Sequence, residues 1–130
     1  MDKYALENNN EIEIIAYFAL TVKPLYIGEN VSNSVRKRLD GLFKNTENVA
    51  GYLIGQLGKN DVYKDRISGN EILGYAISLI IEAFNLVGGR FVFVECEDCQ
   101  KLISFYEKNN FKVLQKDSET GLVQLFRILG

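Results

Sequence analysis

The spacing of apolar and polar positions changes several times along the chain, and each change marks the edge of an element. Asp2 to Leu6 reads as a short strand, and the polar cluster Glu7-Asn8-Asn9-Asn10-Glu11 after it reads as a hairpin turn. Ile12 to Leu25 is rich in isoleucine, phenylalanine, tyrosine and threonine, which predicts one long strand broken near Pro24. From Val31 the period lengthens. Val31, Val35, Leu39, Leu42 and Phe43 fall on one helical stripe, with Ser32 or Asn33 placed to cap its start and Arg36, Lys37 and Arg38 on its solvated side. Val49 to Leu57 returns to a strand pattern, its glycines suiting a bulge or a close backbone approach. Gly58 to Asn70 is polar and charged, a long loop. A second helix is expected from Glu71, with Ile72, Leu73, Ala76, Ile77, Ile80, Ala83, Phe84 and Val87 on its apolar face and Gly88-Gly89 at its end.

Arg90 to Cys96 predicts a strand in which Glu95 shares a face with Phe91 and Phe93, opposite Val92, Val94 and Cys96. Asp98 is placed to cap a third helix, running to Asn109 and burying some of Leu102, Ile103, Phe105 and Tyr106. Phe111 to Leu114 and Leu122 to Leu129 supply the last strands around the turn Lys116 to Gly121. The expected order is strand, strand, helix, strand, helix, strand, helix, strand, strand. Strand-helix-strand steps favour parallel crossovers and terminal pairs favour hairpins, so the fold class is α/β with a mixed sheet.

Length and composition fit one domain over residues 1–130. Seventeen acidic residues against fifteen basic give a formal charge of −2, which supplies no general attraction to nucleic acid. Apolar runs such as Ala76 to Ile81 fall short of a bilayer span, and the acidic start carries no secretory signal, so the expected location is the cytoplasm and no membrane partner is expected. Cys96 and Cys99 have a CxxC spacing, but histidine is absent and there is no second cysteine pair, so no metal is expected. The two thiols read as one core side chain and one at a helix start, with a redox pair as the alternative.

Three features can carry chemistry. Arg66-Ile67-Ser68-Gly69-Asn70-Glu71 joins a strand to a helix, where backbone amides can converge on an anion; it can equally be a helix-start loop, with Glu71 satisfying the terminus itself. Tyr106 is either a core aromatic or a general acid. Glu95 is either an edge residue or a base acting on an amine through water.

The order of elements, with Arg66-x-x-Gly69-x-Glu71 and Phe105-Tyr106-x-x-x-Asn110-Phe111, resembles the GCN5-related N-acetyltransferase (GNAT) superfamily. Within it, Tyr52 to Asp61 and Ile67 to Leu73 are most similar to small bacterial acetyltransferases that include toxins of toxin-antitoxin pairs. The resemblance implies an acetyl-CoA cofactor. Its pantetheine arm would bond to the backbone of Leu57, Gly58 and Lys59, its pyrophosphate would lie on the amides of Arg66, Ile67, Ser68, Gly69, Asn70 and Glu71, and Tyr106 would protonate the departing thiolate. Glu95 would assist deprotonation of the acceptor, a small-molecule or protein amine or an aminoacyl-tRNA. Glu71 stands where the family has a small residue, and Asn110 where it has glycine. Only eleven residues precede Ile12, so the domain is expected to be shortened at its N-terminus, with a homodimer or a partner polypeptide covering that region. The alternative is a noncatalytic binding protein on the same scaffold.

Overall fold

The two opening strands pair as expected, β1 (Ala5–Asn8) antiparallel to β2 (Glu11–Ile14) in a sheet of their own, but Glu7, Asn8 and Glu11, expected in the turn, are strand residues, and Asn9 and Asn10 lie outside the described residues. The computed structural model describes residues 5–8, 11–14, 16–41, 47–59 and 68–130. The expected long strand is therefore two, since β3 (Ala16–Tyr26) starts a separate sheet. Pro24 does not break it. Pro24 lies opposite Ala50 in an edge strand, where a ladder on one side leaves alternate N–H groups unused.

There follow α1 (Asn33–Asp40), β4 (Asn48–Lys59), α2 (Gly69–Val87), β5 (Phe91–Cys96), α3 (Gln100–Lys108), β6 (Lys112–Lys116) and β7 (Val123–Ile128). The main sheet has the order β3-β4-β5-β7-β6. Only β4 and β5 run parallel, joined by the α2 crossover; the other three pairs are antiparallel. The mixed α/β sheet is thus the one expected.

Strand alternation divides the core between two faces. Ile54, Val92, Val94, Cys96 and Leu125 pack with Ile72, Leu73, Ala76, Ile77 and Ile80 of α2 and Tyr106 of α3. Leu53, Phe91, Phe93 and Phe126 pack on the other side with Leu39 of α1. Gly51 lets the two central strands meet, because the Phe91 ring fills the space its Cβ would need, 2.4 Å away. The α2 helix has the length and hydropathy of a bilayer-spanning helix, but its apolar face is this core. Val87, expected on that face, is exposed beyond it.

Two helix starts follow the sequence pattern with shifts. Ser32 caps α1, its hydroxyl accepting from Val35 N–H. The α3 cap position is Cys99, without a side-chain bond, while Asp98 pairs with Lys116 at 3.2 Å. The expected helical positions Leu42 and Phe43 lie outside the described residues.

Arg36 overturns the expectation of a solvated basic triplet. It is buried, and its guanidinium donates to the carbonyls of Val31 (3.3 Å), Ile27 (3.4 Å) and Gly28. These carbonyls belong to the turn that leads from β3 into α1, so the cation acts as an internal cap for that turn. Lys37 and Arg38 remain exposed.

Candidate functional site

The central parallel pair is split at one end. β4 and β5 pair through Tyr52–Val92, Leu53–Phe93 and Ile54–Val94, and no further pairs follow. Beyond that point β4 continues to Lys59 along β3, while β5 continues to Cys96 along β7. The register change between Phe18–Leu57 and Leu20–Ile54 places one extra β4 residue opposite Ala19, and this bulge turns β4 away at Gly55 and Gln56. The expected contact strand, Leu57, Gly58 and Lys59, therefore has β3 on one edge and, among the described residues, no strand on the other. Such an edge can pair with an extended amide-bearing ligand.

The start of α2 lies on one face of this split. Helix α2 begins at Gly69, two residues before the expected Glu71, behind Ser68 as its N-cap. Ser68 and Glu71 form a capping box: Glu71 N–H donates to Ser68 Oγ at 3.1 Å, and Ser68 N–H to Glu71 Oε1 at 3.2 Å. Glu71 thus satisfies the terminus as the alternative reading required. Gly69 and Asn70 N–H have no acceptor among the described residues, and they point from the positive end of a 19-residue helix. Arg66 and Ile67 lie outside the described residues.

The two sequence motifs touch. The Phe105 ring lies 3.1 Å from where a Cβ on Gly69 would sit, so only glycine leaves this contact relaxed. Asn109 Nδ2 donates to Asn70 Oδ1 and to Phe105 O, at 2.9 and 2.8 Å. Asn109 was not among the expected site residues; a polar side chain inside an aromatic motif was its only signal. Asn110 follows with φ of 70°, a left-handed conformation that asparagine accepts more readily than most residues. The turn returns Phe111 N–H to Tyr106 O, at 3.1 Å.

Tyr106 is buried on the α2 face, edge-on to Phe105 and Phe111. Its hydroxyl makes no hydrogen bond among the described residues. Burial pushes its pKa up from 10.0, with a smaller contribution from Cys96. The phenol therefore keeps its proton at neutral pH. Cys96 is buried beside it, its pKa raised from 9.0 by burial and by Cys99, Asp98 and Glu97. Both cysteines are free, one in the core and one exposed at the helix start.

Glu95 is on the opposite face from Tyr106, as alternation requires. It follows the last β4–β5 pair, accepts from Gln124 Nε2 at 3.0 Å, and lies 3.8 Å from Lys23 Nζ. On that face a cavity of about 430 Å³ is walled by residues including Tyr26, Glu29, Val31, Gln115 and Gln124. No group of histidine, cysteine and acidic residues suited to a metal occurs among the described residues.

No protein-family model matches the chain, and no curated protein matches it in sequence. Solved structures match it in shape. The AtaT toxin, as a tyrosine-to-phenylalanine mutant bound to the C-terminus of the antitoxin AtaR and acetyl-CoA, superposes with a TM-score of 0.65 at 17% identity over 93% of this chain. A tyrosine-to-phenylalanine mutant of KacT gives 0.69 at 18% identity over 95%. AtaT complexed with acetyl-methionyl-tRNAfMet gives 0.66 at 20% identity over 88%. The fold is GNAT-like. The chain spans 62% of the length of the AtaT chains and 67% of KacT. The GNAT-like fold read from the two motifs and the order of elements is thus the observed one.

Proposed function

We propose that the chain transfers an acetyl group from acetyl-CoA to a primary amine. The observation that carries this reading is the protonated phenol of Tyr106, without a hydrogen bond among the described residues, on the same face as the α2 N-terminus and beside the split between β4 and β5. Acetyl-CoA supplies an acyl group activated as a thioester. Gly69 and Asn70 N–H would hold its pyrophosphate, and the free edge of β4 at Leu57, Gly58 and Lys59 would bond its pantetheine amides. Arg66 and Ile67 complete the same loop in sequence.

Glu95 and Tyr106 flank the split from its two faces. In the transfer the amine nitrogen forms a bond to the acetyl carbon and gives up one proton, and the carbon–sulfur bond breaks as sulfur gains one. Tyr106 delivers the proton to sulfur and Glu95 takes the amine's proton through water, leaving a phenolate and a protonated carboxyl; Glu95 releases its proton to solvent and Tyr106 takes one back, which restores both groups. The capping box bears on the cofactor directly: Glu71 places a carboxylate beside the two free amides, which weakens anion binding. That observation favours the second reading, a noncatalytic partner protein on this scaffold.

The AtaT neighbours are bound to an antitoxin and to an acetylated methionyl-tRNA. In support of similar partners here, β3 lies at the sheet edge with Val22 and Tyr26 exposed, as a homodimer or partner polypeptide would need. An aminoacyl-tRNA acceptor would meet the exposed Lys37 and Arg38 rather than Arg36.

Calorimetric titration with acetyl-CoA separates the two readings. Saturable binding, followed by coenzyme A release with a panel of small amines and methionyl-tRNA, is the expected result. A folded protein that gives no saturable heat overturns it.

A further inference from the structure

Three side chains form a row across the sheet at the carboxyl end of β5. Glu95 lies opposite Gln124 of β7, and Gln124 lies opposite Gln115 of β6. The second pairing depends on a bulge. β6 pairs through Val113–Leu125 and then Gln115–Gln124, so Leu114 is an extra residue. In a regular ladder Gln115 would have met Val123 and faced the α2 side. The bulge turns it onto the face of Glu95.

The row has a direction. Gly28 N–H can only donate, and it reaches Gln115 Oε1 at 2.8 Å. The Tyr26 carbonyl can only accept, and it takes Gln115 Nε2 at 2.6 Å. These two backbone groups fix which end of the amide is which. Gln115 Nε2 also donates to Gln124 Oε1 at 2.6 Å, so Gln124 must present its own Nε2 to Glu95, which it does at 3.0 Å. Reversing either amide would set two acceptors, or two donors, against each other. Gly28 and Tyr26 also wall the cavity on this face, so one chain of bonds runs from the cavity wall to the Glu95 carboxylate.

We propose that Gln115 is a positioning residue: acting through Gln124, it holds the Glu95 carboxylate at the mouth of the β4–β5 split. This rests on the acetyl-transfer reading, in which Glu95 receives the amine's proton. Few other charges act on the carboxylate. Lys23 of β3 is in contact with it, and Arg36 of α1 is engaged with backbone carbonyls. In the β6–β7 region Lys116 is paired with Asp98, and Asp117 accepts from Glu119 N–H and Thr120 Oγ1. The exposed Glu29 stands on the cavity wall.

Gln115→Met keeps length and neutrality but removes every bond of the row at that residue. The Gln124 side-chain amide is followed by ¹⁵N–¹H NMR in the whole chain, and its Nε2–H resonances are expected to shift and broaden because the amide is no longer held in one orientation toward Glu95. Coenzyme A release with the amine probe is expected to show a kcat about tenfold lower with KM for acetyl-CoA unchanged. Gln115→Glu, which keeps the bond from Gly28 N–H but cannot donate to Gln124, is expected to behave likewise. Gln124 amide resonances identical in the wild type and both folded variants overturn the proposal, as does a change in them with unchanged kcat. Failure of the acetyl-transfer reading is distinct from these outcomes, because it appears as absent acetyl-CoA binding in the wild type.

Discussion

Asn109 Nδ2 lies 2.9 Å from Asn70 Oδ1, so a side chain just past the end of α3 is bonded to the second residue of α2. Residues 39 apart in sequence are thereby joined where the amides of Gly69 and Asn70, without an acceptor among the described residues, meet the helix that carries Tyr106. The start of α2 and the end of the helix that carries Tyr106 are thus tied to each other directly.

Asn109→Ala tests that coupling. It removes the bonds to Asn70 and to Phe105 O, and for a partly exposed pair the expected loss of stability is about 1–2 kcal/mol. Acetyl-CoA affinity is expected to fall about three- to tenfold, since the α2 terminus loses its reference to α3. Calorimetry and urea denaturation measure the two effects separately; unchanged affinity with reduced stability would leave the bond a structural one.

Glu71→Gln addresses the capping box. Glutamine can make both of its bonds, so the start of α2 should persist with a loss within about 1 kcal/mol from the lost charge–dipole attraction. Removing the carboxylate from beside the free amides should tighten acetyl-CoA binding severalfold. Weaker binding would mean that Glu71 assists the ligand instead of opposing it.

Tyr106→Phe should leave the fold nearly as stable as the wild type at neutral pH, because the hydroxyl has no hydrogen bond to lose among the described residues, while kcat falls at least tenfold with acetyl-CoA affinity retained. Its alkaline behaviour gives a second reading. The folded pKa of Tyr106 is raised above 10.0 and that of Cys96 above 9.0. Below pH 9 both groups are protonated in folded and unfolded chains and contribute nothing to pH dependence. As pH rises past 9 and then 10, the unfolded chain ionises first, so stability falls until the folded pKa values are passed. Tyr106→Phe is expected to flatten the upper part of this decline and Cys96→Val the lower part. Thermal melts between pH 8 and 11 check both.

The legibility of the chain follows from the range of the interactions. Alternation along Phe91 to Cys96 correctly put Glu95 opposite Cys96, and helical period found the buried face of α2, because both depend on neighbours a few residues away. The outcome at Arg36 depended on a turn folding back over it, which no local period records. The same holds for Gln115, whose orientation comes from a bulge and from backbone groups 87 and 89 residues distant. Within the candidate site the two motifs were readable as strings, but their contact through Gly69, Phe105, Asn70 and Asn109 is a product of the α2–α3 packing. Glu71 was legible as a competitor because a carboxylate in the first turn of a helix can satisfy its terminus, whereas the part of Ser68 in a capping box came from the structure.

Arg36→Met gives the sharpest test of the turn between β3 and α1. Methionine fills much of the same volume and suits a site with Val31 and Leu39 nearby, but it donates no hydrogen bond, so the carbonyls of Ile27, Gly28 and Val31 lose their guanidinium partners. Buried acceptors stripped of partners cost about 1–3 kcal/mol each, less where water can replace the donor. The turn is near the surface, since Glu29 and Asn30 are exposed, so partial hydration brings the expected total to about 2–4 kcal/mol. With an m-value of about 1–3 kcal/mol/M, the urea midpoint should drop by at least about 0.7 M, whereas Lys37→Ala, one residue away on the solvated side, should move it by less than about 0.5 M. Equal effects of the two substitutions would show that the buried guanidinium contributes no more than an ordinary surface charge. The greater loss at Arg36 is expected because the turn it holds also carries Gly28 N–H, the anchor of the Gln115 row, so loosening the turn should disorder the cavity wall as well as the helix start.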